Sequence, residues 1–149
     1  MTTQTRAKAQ FFSMRTPLLQ QGRTTDIVAK TDLLTVTTKV YAAGGENALH
    51  AHPTEDHSFI VLQGQATFHT GTDDTVTVAN RFEGIMLPAG ALYWFNSSGE
   101  ENLVMVRIGA STDPRGMGHR VHPDGVAFPG DAIENNPVER IEIPGAFFG

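Results

Sequence analysis

The sequence is dominated by short runs of β-branched and other apolar residues, which are separated by turns rich in glycine and proline. Polar and apolar side chains nearly alternate within several of these runs, as is typical of strands with one buried face. Short strands at regular spacing predict an all-β barrel or sandwich. The predicted strands are residues 27–29, 33–41, 58–62, 66–70, 75–78, 85–87, 92–95 and 103–108.

The composition excludes several classes of protein. The 149 residues are enough for one domain with its own hydrophobic core, so we assign residues 1–149 to a single domain. A net charge of −5 offers no concentrated basic surface, and we expect no nucleic-acid partner. The chain has no cysteine, which excludes disulfides and thiolate metal sites. No apolar run approaches the roughly 20 residues that span a bilayer. We therefore expect a cytoplasmic protein without a membrane partner.

Two segments of different character flank the strand-rich region. Residues 1–25 show little pattern, and they are predicted to form an arm that is either a short helix or a segment lying on a neighbouring subunit. Residues 26–110 are predicted to form the barrel. Residues 111–149 are rich in glycine and proline but contain aromatic anchors, so this extension is expected to pack on the barrel or on a partner subunit. A homodimer is the expected assembly.

Three histidines lie close together in the sequence at spacings that suggest a metal site. His50 and His52 are two residues apart, so on an extended strand their side chains point to the same face. The turn-forming residues 53–56 follow, and Pro53 excludes a helix across this stretch. His57 then begins the next predicted strand and can face back toward the first pair. Three imidazoles from neighbouring strands are suitable ligands for a transition metal.

The glycine spacing around these histidines resembles the first motif of the cupin superfamily. Gly44 is followed by five residues and then by His50 and His52, as in that motif. Gly64 lies seven residues after His57, which is the distance that the family keeps between its glutamate and a glycine. The second motif is matched by Pro88-Ala89-Gly90, and the resemblance covers residues 33–108. It implies a small β-barrel of the jelly-roll type, called a double-stranded β-helix, and a metal site inside it.

Two positions depart from the usual three-histidine, one-glutamate site of the family. His57 stands where the glutamate is expected, although a second register would place Asp56 there. Tyr93 stands where the last histidine is expected. The resemblance therefore implies His50, His52, His57 and Tyr93 as the metal ligands. Tyr93 is also a candidate catalytic acid, and the barrel-aromatic interpretation of this residue stays open beside both roles.

The ligand types limit the chemistry. Imidazole binds iron, zinc, nickel, copper and manganese, and we favour iron. Three neutral imidazoles leave most of the charge of a divalent ion uncompensated, which favours an anionic chelating substrate such as a diketone, a catechol, or a hydroxy or keto acid. An oxygenase is the first functional hypothesis. The alternatives are an isomerase, lyase or decarboxylase that uses the metal as a Lewis acid, and a non-catalytic binder of small ligands.

Several residues outside the predicted ligand set also have candidate positions or roles. Glu55 is a candidate acceptor that orients a ligand imidazole. Arg107 and Lys39 lie on predicted strands, where they either anchor an anion inside the barrel or reach solvent. Trp94 should face away from Tyr93. The histidines outside the motif are expected to lie at the surface or to be solvated, namely His69, His119 and His122.

Overall fold

The computed structural model describes residues 6–42, 47–129 and 137–149. The fold is all-β, as predicted. The strands of these ranges are β1 (Thr16–Gln21), β2 (Arg23–Lys30), β3 (Leu34–Tyr41), β4 (Asp56–Gln63), β5 (Ala66–Thr70), β6 (Thr75–Ala79), β7 (Gly84–Leu87), β8 (Tyr93–Ser97), β9 (Leu103–Ala110) and β10 (Ile141–Phe148). A short 3-10 turn at Gly116–Gly118 follows β9. Among the described residues, no helix is long and apolar enough to cross a bilayer.

Two antiparallel sheets enclose the main core. The larger sheet has the strand order β2-β3-β9-β4-β7, and the smaller one has the order β6-β5-β8. Inward-facing side chains from both sheets form one buried cluster, in which Phe59 of β4 packs against Phe68 of β5 and Phe95 of β8. Burying a side chain of this size contributes about 1.5–3 kcal/mol, so this aromatic cluster is a major source of stability.

The turn after β4 depends on a glycine. Gly64 has a φ of +79°, a conformation that residues with a Cβ rarely adopt. A Cβ at this position would also lie 2.8 Å from the carbonyl oxygen of Asn102. Both features explain why the chain needs glycine where β4 ends, seven residues after His57.

The two ends of the chain pair with each other. β1 and β10 form a separate two-stranded antiparallel sheet. Leu19 of β1 is 1% exposed and packs with Val40 and Val104 on the side of the large sheet away from the main core. The short-helix alternative for the N-terminal arm is therefore wrong for residues 16–21. The last part of the C-terminal extension lies on the arm of its own chain.

Candidate metal centre

His50 and His52 lie on a segment beside the barrel that is not a regular strand. The prediction of a continuous strand is wrong here, because residues 50 and 51 form only isolated bridges. His50 lies opposite Tyr93, and their backbones exchange N–H···O bonds of 3.1 and 2.9 Å. Directly opposed residues of an antiparallel pair share a face. The rings of His50 and Tyr93 accordingly point into the barrel, where these residues are 0% and 2% exposed.

The third imidazole comes from the start of β4. Residues His57, Phe59 and Val61 are buried, whereas Asp56 is exposed. The Asp56 carboxylate accepts a hydrogen bond of 2.7 Å from the backbone N–H of Ala89. Because side chains alternate along a strand, only one of residues 56 and 57 can face inward. Of the two registers that the sequence leaves open, the structure places His57 inside.

All four predicted ligands meet in one place. The ring centroids of His50 and His52 are 5.1 Å apart, and those of His52 and His57 are 5.0 Å apart. The Tyr93 ring lies 4.5 Å from that of His50 and 5.1 Å from that of His57. The turn at Pro53 thus brings the His57 ring next to that of His52.

Hydrogen bonds fix the tautomers of two of the rings. Nδ1 of His50 donates to the carbonyl oxygen of Ala48 at 2.7 Å, and Nδ1 of His52 donates to that of His119 at 3.2 Å. Because a carbonyl only accepts, Nδ1 carries the proton in both rings and the lone pair is on Nε2. Metal-ligating histidines are commonly held in this way. The Nε2 atom of His50 and both ring nitrogens of His57 are buried without a hydrogen-bond partner among the described residues.

The donor set fits a transition metal, although the rings are not arranged around one. As the side chains stand, no three His, Asp or Glu residues in the described part of the chain form a group that could hold an ion. Metal–nitrogen distances of about 2.0–2.1 Å place two imidazoles on one ion with ring centres roughly 4.5–5 Å apart. Both neighbouring pairs are close to this spacing. The buried ring nitrogens of His50 and His57 that have no partner among the described residues also need one. Metal binding would therefore require ring reorientation.

Burial keeps the three imidazoles neutral. Loss of solvation lowers the pKa of His50 to about 3 and that of His57 to about 2, and it lowers the pKa of His52 far below its usual range. The positive charge of Arg107 adds to this effect at all three rings. A neutral imidazole has a lone pair to offer, which is what metal ligation requires.

These pKa values predict that the metal-free protein loses stability in acid. An unfolded histidine titrates near pH 6.5, so the unfolded chain takes up these protons first as the pH falls. The stability that the neutral imidazoles contribute is fully present above about pH 6.5. It is lost as the pH falls toward about 3, by about 1.4 kcal/mol per pH unit for each ring. Urea unfolding between about pH 7 and pH 5 measures this slope. The slope of the unfolding free energy against pH should become shallower in His57→Gln and should not in His69→Gln, whose ring lies outside the site. Equal slopes in the wild type and both variants would contradict the assignment of His57 as a buried, neutral imidazole.

Tyr93 is a neutral phenol in this site. Its hydroxyl lies 3.3 Å from Nε2 of His52. Since Nδ1 of His52 carries the proton, Tyr93 donates this hydrogen bond. Burial raises the pKa of Tyr93, against the opposing charge of Arg107. The lone pair of His52 cannot accept this proton and ligate a metal at the same time, so the two interactions exclude each other.

A buried ion pair lies next to His57. The Glu55 carboxylate accepts a hydrogen bond from Nη2 of Arg107, and both residues are 2% exposed. Glu55 Oε1 is 3.7 Å from Nδ1 of His57, which is too far for the predicted orienting hydrogen bond. Gly109 lies opposite His57 in β9, and a Cβ there would be 2.7 Å from Glu55 Oε2. The missing side chain leaves room for the pair. Lys39, like Arg107, is buried.

The C-terminal extension also contributes to the site, which sequence reasoning missed. Val121 exchanges backbone hydrogen bonds of 3.0 and 2.9 Å with Ala51, between the first two histidines. Phe128 is buried, and its ring lies edge-on to His50 with centroids 6.3 Å apart. The extension has no periodic pattern that would reveal these contacts, and the aromatic character of Phe128 is the one available signal.

The remaining histidines are not equivalent. His69 stacks on Trp94 with ring centroids 3.9 Å apart, away from the inward face of Tyr93, as the strand alternation predicts. His69, His119 and His122 were expected at the surface or solvated, and all three are instead half-buried. His122 stacks on Phe128 with centroids 3.9 Å apart.

Comparison with known proteins agrees with this fold. Residues 38–109 match the family model described as Cupin domain. A double-stranded β-helix domain protein from Klebsiella pneumoniae superposes with a TM-score of 0.62 at 23% identity, over 74% of this chain and 93% of that chain. A cupin superfamily protein from Desulfitobacterium hafniense gives a TM-score of 0.51 at 19% identity, over 61% and 78%. An oxalate oxidase in complex with the substrate analogue glycolate gives 0.54 at 19% identity, over 68% and 55%.

At these identities, the structural matches indicate a shared fold. No curated protein sequence matches the chain. The family match over residues 38–109, the double-stranded β-helix neighbours and the two facing antiparallel sheets all point to the same assignment. Residues 38–109 of the chain form a cupin domain.

Proposed function

We propose that this cupin is a metal-dependent enzyme, and specifically an oxygenase that acts on a small anionic chelating molecule. The observation that supports this best is the grouping of three buried, neutral imidazoles, those of His50, His52 and His57. The lone pairs of His50 and His57 are unpaired among the described residues, and that of His52 becomes available once it releases the Tyr93 hydroxyl. Iron is the favoured metal, and zinc, nickel, copper and manganese suit the same donors.

The charge of the surroundings supports an anionic substrate. The three imidazoles are neutral, and the one buried acid among the described residues, Glu55, is already paired with Arg107. The charge of a divalent ion would stay uncompensated in such a site until an anion binds. An enolate, a catecholate, or a hydroxy or keto acid would supply that charge together with two oxygen ligands. Glycolate, the molecule bound by the structurally similar oxalate oxidase, is a small acid of this class.

The residues of the chain have distinct roles in this proposal. The histidines hold the metal, which when bound supplies Lewis acidity or, for iron, dioxygen chemistry. The aromatic cluster around Phe59 and Phe95 keeps water from the inner side of the site. Tyr93 holds a proton on its hydroxyl, next to the histidines, and can donate it to a substrate oxygen.

The neutral phenol of Tyr93 gives specific support to a second candidate. A metal acting as a Lewis acid beside a proton donor also suits an isomerase, a lyase or a decarboxylase. Oxygen consumption by ferrous-loaded protein separates the two candidates, with diketones, catechols and hydroxy acids as substrates. The oxygenase proposal predicts oxygen uptake that depends on one of these substrates. Turnover of a substrate without oxygen uptake would favour the Lewis-acid candidate, and binding without turnover would favour a non-catalytic binder.

Replacing Tyr93 by phenylalanine distinguishes its two proposed roles. We expect Tyr93→Phe to keep one metal per chain and to lose activity by about 100–10,000-fold, the usual contribution of a positioned acid. The change leaves the aromatic packing in place and removes the hydrogen bond to His52. Metal content and turnover, measured on the same sample, are the readouts. Loss of the metal would instead identify Tyr93 as a required ligand.

The assembly and the location of the protein are part of the same proposal. We propose a homodimer in the cytoplasm that binds a small molecule and neither nucleic acid nor a membrane. Exposed apolar side chains such as Phe82 and Met86, which are 74% and 66% exposed, support a protein contact. Light scattering of the purified protein measures the assembly, and a monomer at micromolar concentration would contradict the dimer.

A further inference from the structure

Arg120 of the C-terminal extension lies on the same side as the ligand histidines. The bridge between Val121 and Ala51 is antiparallel, so Arg120 is opposite His52. Opposed residues of such a pair share a face, which for His52 is the barrel interior. The positive charge of Arg120 is close enough to lower the pKa of both His50 and His52. The extension thus places a cation beside the proposed metal centre.

Two of the three nitrogens of the Arg120 guanidinium are buried without a hydrogen-bond partner among the described residues. These atoms are Nε and Nη1, which are shielded from solvent and have no acceptor within residues 6–42, 47–129 and 137–149. No ion pair within those ranges involves Arg120. A shielded cation without an acceptor is costly, and such donors are normally satisfied by a carboxylate or another anion.

Other buried donors of the described residues also lack partners. The hydroxyl of Tyr41 and Nη1 of Arg107 are buried and have no partner among the described residues. Lys39 is 7% exposed, burial holds its pKa well below the usual range, and its Nζ donates to the hydroxyl of Thr25 at 3.0 Å. The charge of Arg120 is among those that act to lower the pKa of Lys39 and of Tyr41. The one buried carboxylate in the described residues, that of Glu55, is already paired with Arg107.

We propose that Arg120 binds a carboxylate group of a small organic acid. Arg120 also lines an open depression of about 530 Å³ in the C-terminal extension, together with His119 and Phe128. This depression gives a small molecule a path to the guanidinium. An arginine fork matches a carboxylate through two parallel hydrogen bonds.

The inference narrows the class of substrate. This narrower substrate class rests on the proposed function only for the end of the substrate that would bind the metal. The Arg120 end would hold a second anionic group, so the substrate would be an acid with a carboxylate apart from its chelating oxygens. A bound anion would also offset the charge of a metal beside the histidines. Anion and metal should therefore strengthen each other's binding, and by linkage they should do so by the same factor.

Calorimetric titration with malonate tests the anion site in metal-free protein. Malonate should bind, whereas malonamide, which has a similar shape but no charge, should bind at least about tenfold more weakly, since it cannot form a charge-assisted hydrogen bond with the guanidinium. Arg120→Gln should weaken malonate binding by a similar factor, and Arg120→Lys should weaken it less. Arg115→Gln is the matched control. Arg115 lines the same depression, but its guanidinium is paired with Asp113.

Each outcome of the titration either supports or overturns the proposed anion site at Arg120. Equal malonate affinity in the wild type and Arg120→Gln, equal binding of malonate and malonamide, or a loss confined to Arg115→Gln would overturn it. Unfolding curves of each variant establish that the fold is kept. Because the protein is metal-free, malonate binding that depends on Arg120 would support the anion site even if the protein never binds a metal. One metal per chain without malonate binding would leave the metal centre standing and reject the anion site.

Discussion

Replacing Arg107 by methionine is expected to lower the free energy of unfolding by about 3–5 kcal/mol, because it leaves the carboxylate of Glu55 buried without its partner. Glu55 is 2% exposed, and Arg107 is the partner of its carboxylate in both the ion-pair and the hydrogen-bond geometry. Methionine has a similar length and keeps much of the packing against Phe59. The loss should therefore reflect the unpaired charge more than a cavity.

Urea unfolding at neutral pH measures this loss, with two controls. Arg140→Met removes a partner from an exposed pair with Glu142, and such pairs contribute about 0–1 kcal/mol. The double variant Glu55→Gln/Arg107→Met removes both charges and should recover part of the stability, since neutral pairs of similar volume are often tolerated. If Arg107→Met cost no more than Arg140→Met, the buried pair would not hold this side of the barrel together.

Replacing any one of the three ligand histidines by alanine should abolish stoichiometric metal binding. Loss of a residue that merely orients a ligand already weakens metal affinity by about 10–100-fold, and loss of a ligand itself should cost at least as much. The barrel should still fold, because these changes leave the aromatic cluster of Phe59, Phe68 and Phe95 in place. His52→Ala is the most informative variant, since its ring lies within 5.1 Å of both other imidazoles.

Elemental analysis after dialysis measures this prediction. The wild type should retain one metal per chain, and His50→Ala, His52→Ala and His57→Ala should each retain less than about a tenth of that. His69→Ala is the matched control, because His69 stacks on Trp94 and bonds Asp74 away from the site. Metal content that is unchanged in His52→Ala, or lost in His69→Ala, would show that the ligands are misassigned.

The central part of the fold and site could be predicted because it depends on local spacing. Alternation along β4 determines that His57 faces inward together with Phe59 and Val61. The glycine that ends this strand identified the correct register, since Gly64 adopts a positive φ that marks the turn. Tyr93 could be placed in the same way, from its distance to the turn at residues 88–90.

The parts that could not be predicted depend on contacts between distant segments. The pairing of β1 with β10 joins residues more than a hundred positions apart, and neither segment has a pattern that selects the other. Val121 and Arg120 reach the histidines through a single isolated bridge, which has no signature in composition or periodicity. The irregular backbone at His50 has a similar origin. Its hydrogen-bond partners, Tyr93 and the extension, come from different parts of the chain.

The most direct test of the central claim is an anomalous difference map from crystals of the wild-type protein soaked in zinc. The proposed centre predicts one strong peak per chain inside the barrel, about 2.0–2.1 Å from a ring nitrogen of each of His50, His52 and His57. A peak held by His119 or His122 in place of these rings, or no peak within the barrel, would contradict it.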